Sequence, residues 1–129
     1  MRAKDRRRTG RRGELVALVV LSCKGYRLRH RNWRGPTGEL DLVFEKRGVV
    51  VFVEVKTRSS EMFGGAVAAV DRDKRSAIVR TAASYMSRNG LWERPARFDV
   101  VTVERRPGFP GWRVRHLKNV IRPDLGRMM

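Results

Sequence analysis

Two short segments constrain this chain more than anything else in it: Gly38-Glu39-Leu40-Asp41-Leu42-Val43 and Val51-Phe52-Val53-Glu54-Val55-Lys56, joined through Lys46-Arg47-Gly48-Val49. Apolar residues alternating with charged ones on either side of a turn signal predict a β-hairpin whose central turn residues are Arg47 and Gly48. In that register Asp41 faces Glu54 and Glu39 faces Lys56. Period-two alternation then sets Leu40, Leu42 and Phe44 on one face with Val51, Val53 and Val55, and Glu39, Asp41, Glu54 and Lys56 on the other. Directly opposed like charges, with Cβ atoms about 4.5–5.5 Å apart, destabilise a sheet. A buried carboxylate without a partner is costly or takes up a proton. A hard divalent cation between Asp41 and Glu54, with water in its remaining positions, removes both costs and is the way Mg²⁺ usually binds. Lys56, pointing the same way, could orient water, help it lose a proton, or stabilise charge on a phosphorane-like transition state. The plainer reading of the same residues is a solvated face of cross-strand ion pairs.

The substrate class follows from charge. The chain has 129 residues, 30 Lys plus Arg against 13 Asp plus Glu, and a formal net charge of +17, which suits a polyanion. Seven basic residues and one acid lie between Met1 and Arg12, and five basic residues and no acid between Lys24 and Arg34; from Glu39 to Glu54 the sign reverses. Cations to hold a phosphate backbone and carboxylates to hold a metal are what a metal-dependent phosphodiesterase needs. A solubilising basic surface is the alternative.

The length suits one domain, expected over 11–121, with a basic flexible arm at 1–10 and a flexible tail at 122–129. Cys23 is the only cysteine, which excludes an intramolecular disulfide and a thiolate zinc cluster, and His30 and His116 are expected on the surface or a sheet face rather than as ligands. The apolar run Leu15 to Leu21 after a basic start has the outline of a signal peptide. However, it is of minimal length, Glu14 borders it, and no convincing cleavage signal precedes Cys23. No stretch approaches the roughly 18 apolar residues of a membrane span. The expected location is cytoplasmic.

As a folded element, Arg11 to Cys23 predicts a helix closed by Gly25 and apolar on nearly every side, packed against the sheet. Glu14 shares a stripe with Leu18 and Leu21 and could reach the acidic hairpin face; it could equally be an ordinary first-turn acid favoured by the helix dipole. A first strand over Arg27 to Arg34, the hairpin strands over Glu39 to Glu45 and Val49 to Thr57, a loop from Arg58 to Gly65, a second helix over Val70 to Arg88, and strands over Arg97 to Glu104 and Trp112 to Lys118 complete the pattern. The second helix should bury Ala77, Ile78, Ala82, Tyr85 and Met86.

Five segments in order, Arg12-Gly13-Glu14, Asn32-Trp33-Arg34, Gly38 to Leu42, Phe52 to Arg58 and Arg97 to Val101, together with Lys74, resemble a known family. The chain is similar to the YraN-like family of small bacterial proteins, in the PD-(D/E)XK superfamily of restriction-endonuclease-like nucleases, related to archaeal Holliday-junction resolvases. The superfamily's proline before the aspartate is replaced by Leu40. The resemblance implies an α/β fold with a mixed central sheet flanked by helices. It also implies Glu14, Asp41, Glu54 and the Val55 carbonyl as ligands of Mg²⁺ or Mn²⁺, Lys56 as catalytic lysine, Glu39 in support, and Lys74 facing phosphate.

Together these readings predict Mg²⁺- or Mn²⁺-dependent hydrolysis of DNA by Asp41, Glu54 and Lys56, on branched or repair DNA among other structures, with Arg12, Arg34, Arg58 and Lys74 on the phosphates. The competing expectation is a nucleic-acid-binding scaffold that does no chemistry. A membrane-surface role would need a cationic amphipathic helix and is not expected. The oligomeric state stays open, a homodimer included.

Overall fold

The computed structural model describes residues 3–59, 72–109 and 111–121. Seven elements follow in the expected order: α1 (Ala3–Cys23), β1 (Arg27–Gly35), β2 (Gly38–Lys46), β3 (Val49–Ser59), α2 (Arg72–Arg88), β4 (Ala96–Arg105) and β5 (Trp112–Ile121). The five strands form one mixed sheet in sequence order, antiparallel except for the β3–β4 pair, which α2 joins in parallel. This is the mixed α/β sheet flanked by helices expected from the sequence. α1 begins at Ala3 rather than Arg11, so most of the segment read as a basic arm is helical. The tail at 122–129 and most of the loop from Arg58 to Gly65 lie outside the described residues.

Both helices end as their glycines dictate. Gly25 (φ 89°) and Gly90 (φ 65°) take the left-handed conformation after α1 and α2. The N–H groups of Tyr26 and Leu91 then reach back to the carbonyls of Leu21 and Met86 at 3.1 and 2.9 Å, capping the last turns. The hairpin turn is also as predicted. Arg47 (φ 51°) and Gly48 (φ 81°) both have positive φ, the geometry that matches the twist of the flanking strands, and the ladder runs from Lys46↔Val49 to Leu42↔Val53.

The sheet is buried on both sides, which corrects the expectation that one face of the hairpin is core and the other chemistry. Leu42, Phe44, Val51 and Val53 pack under α1 with Ala17, Leu21, Val101 and Val103. Val43, Val50 and Phe52 pack under α2 with Val79, Ala82, Tyr85, Met86 and Phe98. The continuous run Val49 to Val53 is the mark of a strand covered twice. Leu40 joins the α2 cluster, not the α1 cluster that holds Leu42, so the alternation of β2 breaks at Asp41. Of the expected α2 face, Ala82, Tyr85 and Met86 are buried and Ile78 packs beside them, whereas Ala77 is half-buried and Val79 and Thr81, not expected, are buried. α1 is less enclosed than its composition suggested, because Leu15 (46%) and Val19 (59%) stand exposed.

His116 is a second correction. It lies in β5 facing α1, its side chain only 3% exposed, with Nε2 2.7 Å from Asp99 Oδ2. Asp99, buried, also accepts two bonds from the Arg97 guanidinium and one from the Asn119 N–H, each at 2.9 Å, and Arg97 continues to the Tyr26 hydroxyl. Burial by itself would raise the Asp99 carboxyl pKa. The bonds from His116, Arg97 and Asn119 outweigh burial and hold it below the usual carboxylate value. Removing one partner of a buried charge network strands the others. Asp99→Ala should therefore lower stability by about 3–5 kcal/mol in urea unfolding at neutral pH. Because the folded pKa is depressed, the wild-type advantage should be present above the unfolded value and fade as pH falls through the folded one.

Candidate active site

The β2–β3 ladder stops at Leu42↔Val53, one residue short of the predicted Asp41–Glu54 pairing. Beyond it the backbones no longer pair. The Val55 N–H instead donates to Asp41 Oδ2 at 2.9 Å, so the carboxylate takes the place of a strand partner. Across β2, Arg31↔Leu42 and Trp33↔Leu40 are paired, and between them Asn32 adopts φ 51°. The αL kink at Asn32 opposite Asp41, tolerated by asparagine more than by most residues, is where the β1–β2 ribbon turns its side chains over. β2 and β3 thus part at Asp41 while β1 stays paired to β2 on either side of Asn32.

Asp41, Glu54 and Glu39 line one cleft with Leu40, Phe52, Ile78 and Phe98. Lys56 Nζ lies 2.6 Å from Glu54 Oε1, both side chains largely buried. The expected opposition of Glu39 and Lys56 does not form. Glu39 turns toward β1, where its carboxylate is 3.5 Å from Arg34 Nε. With its amide oriented to donate, Asn32 bridges Glu14 Oε2 at 3.1 Å and Glu39 Oε1 at 3.2 Å. Glu14 is therefore delivered to the site by α1, which decides between its two readings.

The delivery depends on a residue whose role the sequence did not disclose. Gly13 sits where α1 crosses β3, and a Cβ there would stand 2.0 Å from Thr57 Oγ1. Only glycine lets the helix backbone come this close to the strand, and Glu14 is the next residue. Asn32 was likewise quoted for resemblance without a role; its signal was an isolated polar side chain in a basic strand, too weak to single out.

Asp41 is the most perturbed group. Burial first, then the negative charges of Glu54 and Glu14, raise its carboxyl pKa from 3.8 to about 6, against the lowering effects of the Val55 N–H and Lys56. Glu14 is raised as well, chiefly by burial. Unlike Glu45, whose carboxylate is held below its ordinary value by Arg29, Arg94 and Arg27, these two acids resist ionisation. Among the described residues no three His, Cys, Asp or Glu side chains converge as a metal cluster. Glu39, Asp41 and Glu54 line the cleft without converging on one point, which suits a hard cation that keeps most of its water. Of the phosphate-binding candidates, Arg12 and Arg34 are exposed, and Arg58 donates to the Thr57 carbonyl at 3.2 Å. Lys74 belongs to α2, with its side chain outside the described residues.

The fold is thus a mixed α/β sheet split to admit an inserted carboxylate, with a lysine-paired glutamate beside it. The chain belongs to the Uncharacterised protein family UPF0102, whose model matches residues 13–103. It is 47% identical over 98 residues to a UPF0102 protein of Moorella thermoacetica, covering 76% of this chain and 82% of that one. It is 46% identical over 121 residues to one of Beutenbergia cavernae, covering 93% and 99%. The matched span holds every carboxylate of the site. No described helix is long and apolar enough to cross a membrane.

A carboxyl whose folded pKa lies above its unfolded value opposes folding only where it must ionise. The cost at Asp41 is absent below about pH 4, grows up to about pH 6, and is constant beyond. Asp41→Asn keeps an acceptor for the Val55 N–H and removes the charge. It should melt several degrees above the wild type at pH 7.5 and with it at pH 4, as read by thermal denaturation without divalent metal. Gly13→Ala should act oppositely, destabilising the protein by about 1–3 kcal/mol by forcing α1 off Thr57.

Proposed function

We propose that this protein is a metal-dependent phosphodiesterase acting on DNA, branched recombination or repair intermediates among its substrates, in the cytoplasm. One observation carries the reading: Asp41 and Glu54 share a cleft beside Lys56, and Asp41 is held as an anion at a cost. A divalent cation has most to gain where carboxylates repel each other. Mg²⁺ or Mn²⁺ would be held by Asp41 and Glu54, with Glu14 and the Val55 carbonyl as further oxygen donors, and would supply Lewis acidity toward a phosphodiester.

The chain's own groups do the rest. The Val55 N–H fixes the Asp41 carboxylate in one orientation. Lys56 holds its ammonium at the carboxylate edge, placed to steer water and to stabilise charge developing on phosphate oxygens. Asn32 ties Glu14 to Glu39, keeping the helix acid at the cleft. Arg12, Arg34, Arg58 and Lys74 would hold the backbone phosphates, and the net charge of +17 would draw DNA to the surface.

A scaffold that binds nucleic acid without cutting it is the competing reading. It is favoured by the pairing of Glu54 with Lys56 and by the lack of a three-residue metal cluster among the described residues. A cleavage panel of branched, flapped, single-stranded and linear DNA separates the two. At least one structure should be cut with Mg²⁺ or Mn²⁺ and spared with chelator. Asp41→Ala, Glu54→Ala and Lys56→Ala should each lose about 10²-fold or more in rate. Wild type and Glu54→Ala behaving alike across the panel would favour the scaffold. Independently, a metal bound only to the folded state should stabilise it by about 2.7 kcal/mol at a hundredfold excess over Kd. Glu14→Gln should reduce that shift and Asp41→Asn should abolish it.

A further inference from the structure

On the other flank of α1 from Glu14 lies a groove that the proposed chemistry does not use. Arg12, Leu15 and Val16 of α1 form one wall, and Arg105, Arg106 and Trp112, at the tip of the β4–β5 hairpin, form the other. Phe109, within that tip, is completely exposed. The Arg106 N–H donates to the Gly111 carbonyl at 2.8 Å, Gly108 and Gly111 have φ of 91° and 83°, and a Cβ on Gly111 would lie 3.3 Å from the Gly108 carbonyl oxygen. An exposed apolar side chain is ordinary by itself. A fully exposed phenylalanine one residue from Gly108, in the connection whose Arg105, Arg106, Gly108 and Gly111 line a groove with Trp112, Leu15 and Arg12, is not. Glu104 is the one carboxylate paired here, 3.4 Å from Arg106, so the wall stays cationic.

We infer that this groove binds an unpaired DNA segment, with Phe109 and Trp112 stacking on bases and Arg12, Arg105 and Arg106 pairing with phosphates. Aromatic rings can stack only on bases freed from their neighbours, whereas a duplex would offer the groove nothing but its phosphates. The charge and the rings together therefore select a single strand. Arg12 and Glu14 flank Gly13, where a Cβ would meet Thr57, so groove and candidate site border the same stretch of α1. This rests on the nucleic-acid part of the function proposed above, not on catalysis, and it narrows the substrate to DNA with a junction between paired and unpaired strands.

Binding is measured in Asp41→Asn protein with chelator present, so that loss of cleavage and loss of binding are told apart. Phe109 is fully exposed, so its replacement leaves the core untouched. Phe109→Ala should weaken a short oligo-dT about tenfold, the scale of one lost stacked base, and change a duplex of equal length less than twofold. Arg105→Ala should weaken both and lower the single-strand salt slope by about 0.7. Unchanged oligo-dT affinity in Phe109→Ala, or an equal loss on duplex, overturns the inference. So does tighter binding of oligo-U than of oligo-dT, which would reassign the groove to RNA. If sedimentation shows Phe109→Ala dissolving a dimer whose population the affinity merely follows, the face is a self-association surface and the inference fails.

Discussion

The bond from the Val55 N–H to the Asp41 carboxylate governs how the rest of this structure is arranged. In an uninterrupted hairpin that N–H would be satisfied by the ladder. Because the carboxylate takes it, β2 and β3 separate after Leu42↔Val53, leaving a cleft between strands that are otherwise buried on both faces. A buried backbone donor must find a partner. The sheet therefore cannot close without moving Asp41, and Asp41 cannot leave without stranding the donor.

Everything around the split is arranged to hold carboxylates that would otherwise repel. Lys56 neutralises Glu54, Asn32 bridges Glu14 and Glu39, and Arg34 takes the outer side of Glu39. Asp41 is buried with two acidic neighbours, and burial first, then their charges, raise its carboxyl to about 6 in spite of the Val55 N–H and Lys56. Two other acids, one buried and one at the surface, are handled in the opposite way. Asp99 is surrounded by donors and Glu45 by three arginines, and both are stabilised as anions. The contrast between Asp99 and Glu45, held as anions by several donors, and Asp41, raised by burial and acidic neighbours, is the physical argument for chemistry at Asp41.

α1 links the split to the rest of the molecule. Its backbone touches β3 at Gly13, with Glu14 on one side and the cationic groove of Arg12 on the other. A side chain at position 13 would separate both from the sheet. The first helix is thus a positioning element for two surfaces, and its exposed Leu15 and Val19 are the cost of standing at the edge of the core.

Much of this was legible in the order of the residues. Strand and helix order, the Arg47-Gly48 turn, both glycine caps, most of the face of α2 and the set Asp41, Glu54 and Lys56 follow from periodicity and turn chemistry, because those signals are local. The tertiary structure decided what depended on residues far apart in sequence. Strict alternation places Leu40 with Leu42 and opposes Asp41 to Glu54. The kink at Asn32 and the bond to Val55 break that alternation, and no local pattern encodes a carboxylate replacing a strand partner. His116 looked like a surface residue among arginines until β5 was laid beside β4 and turned it toward Asp99. Gly13 read as an ordinary helix residue until Thr57 was brought against it. The residues determine which groups are available and what backbone shapes they favour; their burial and distances, and with them the desolvation and repulsion that raise the Asp41 pKa, exist only once the strands are packed.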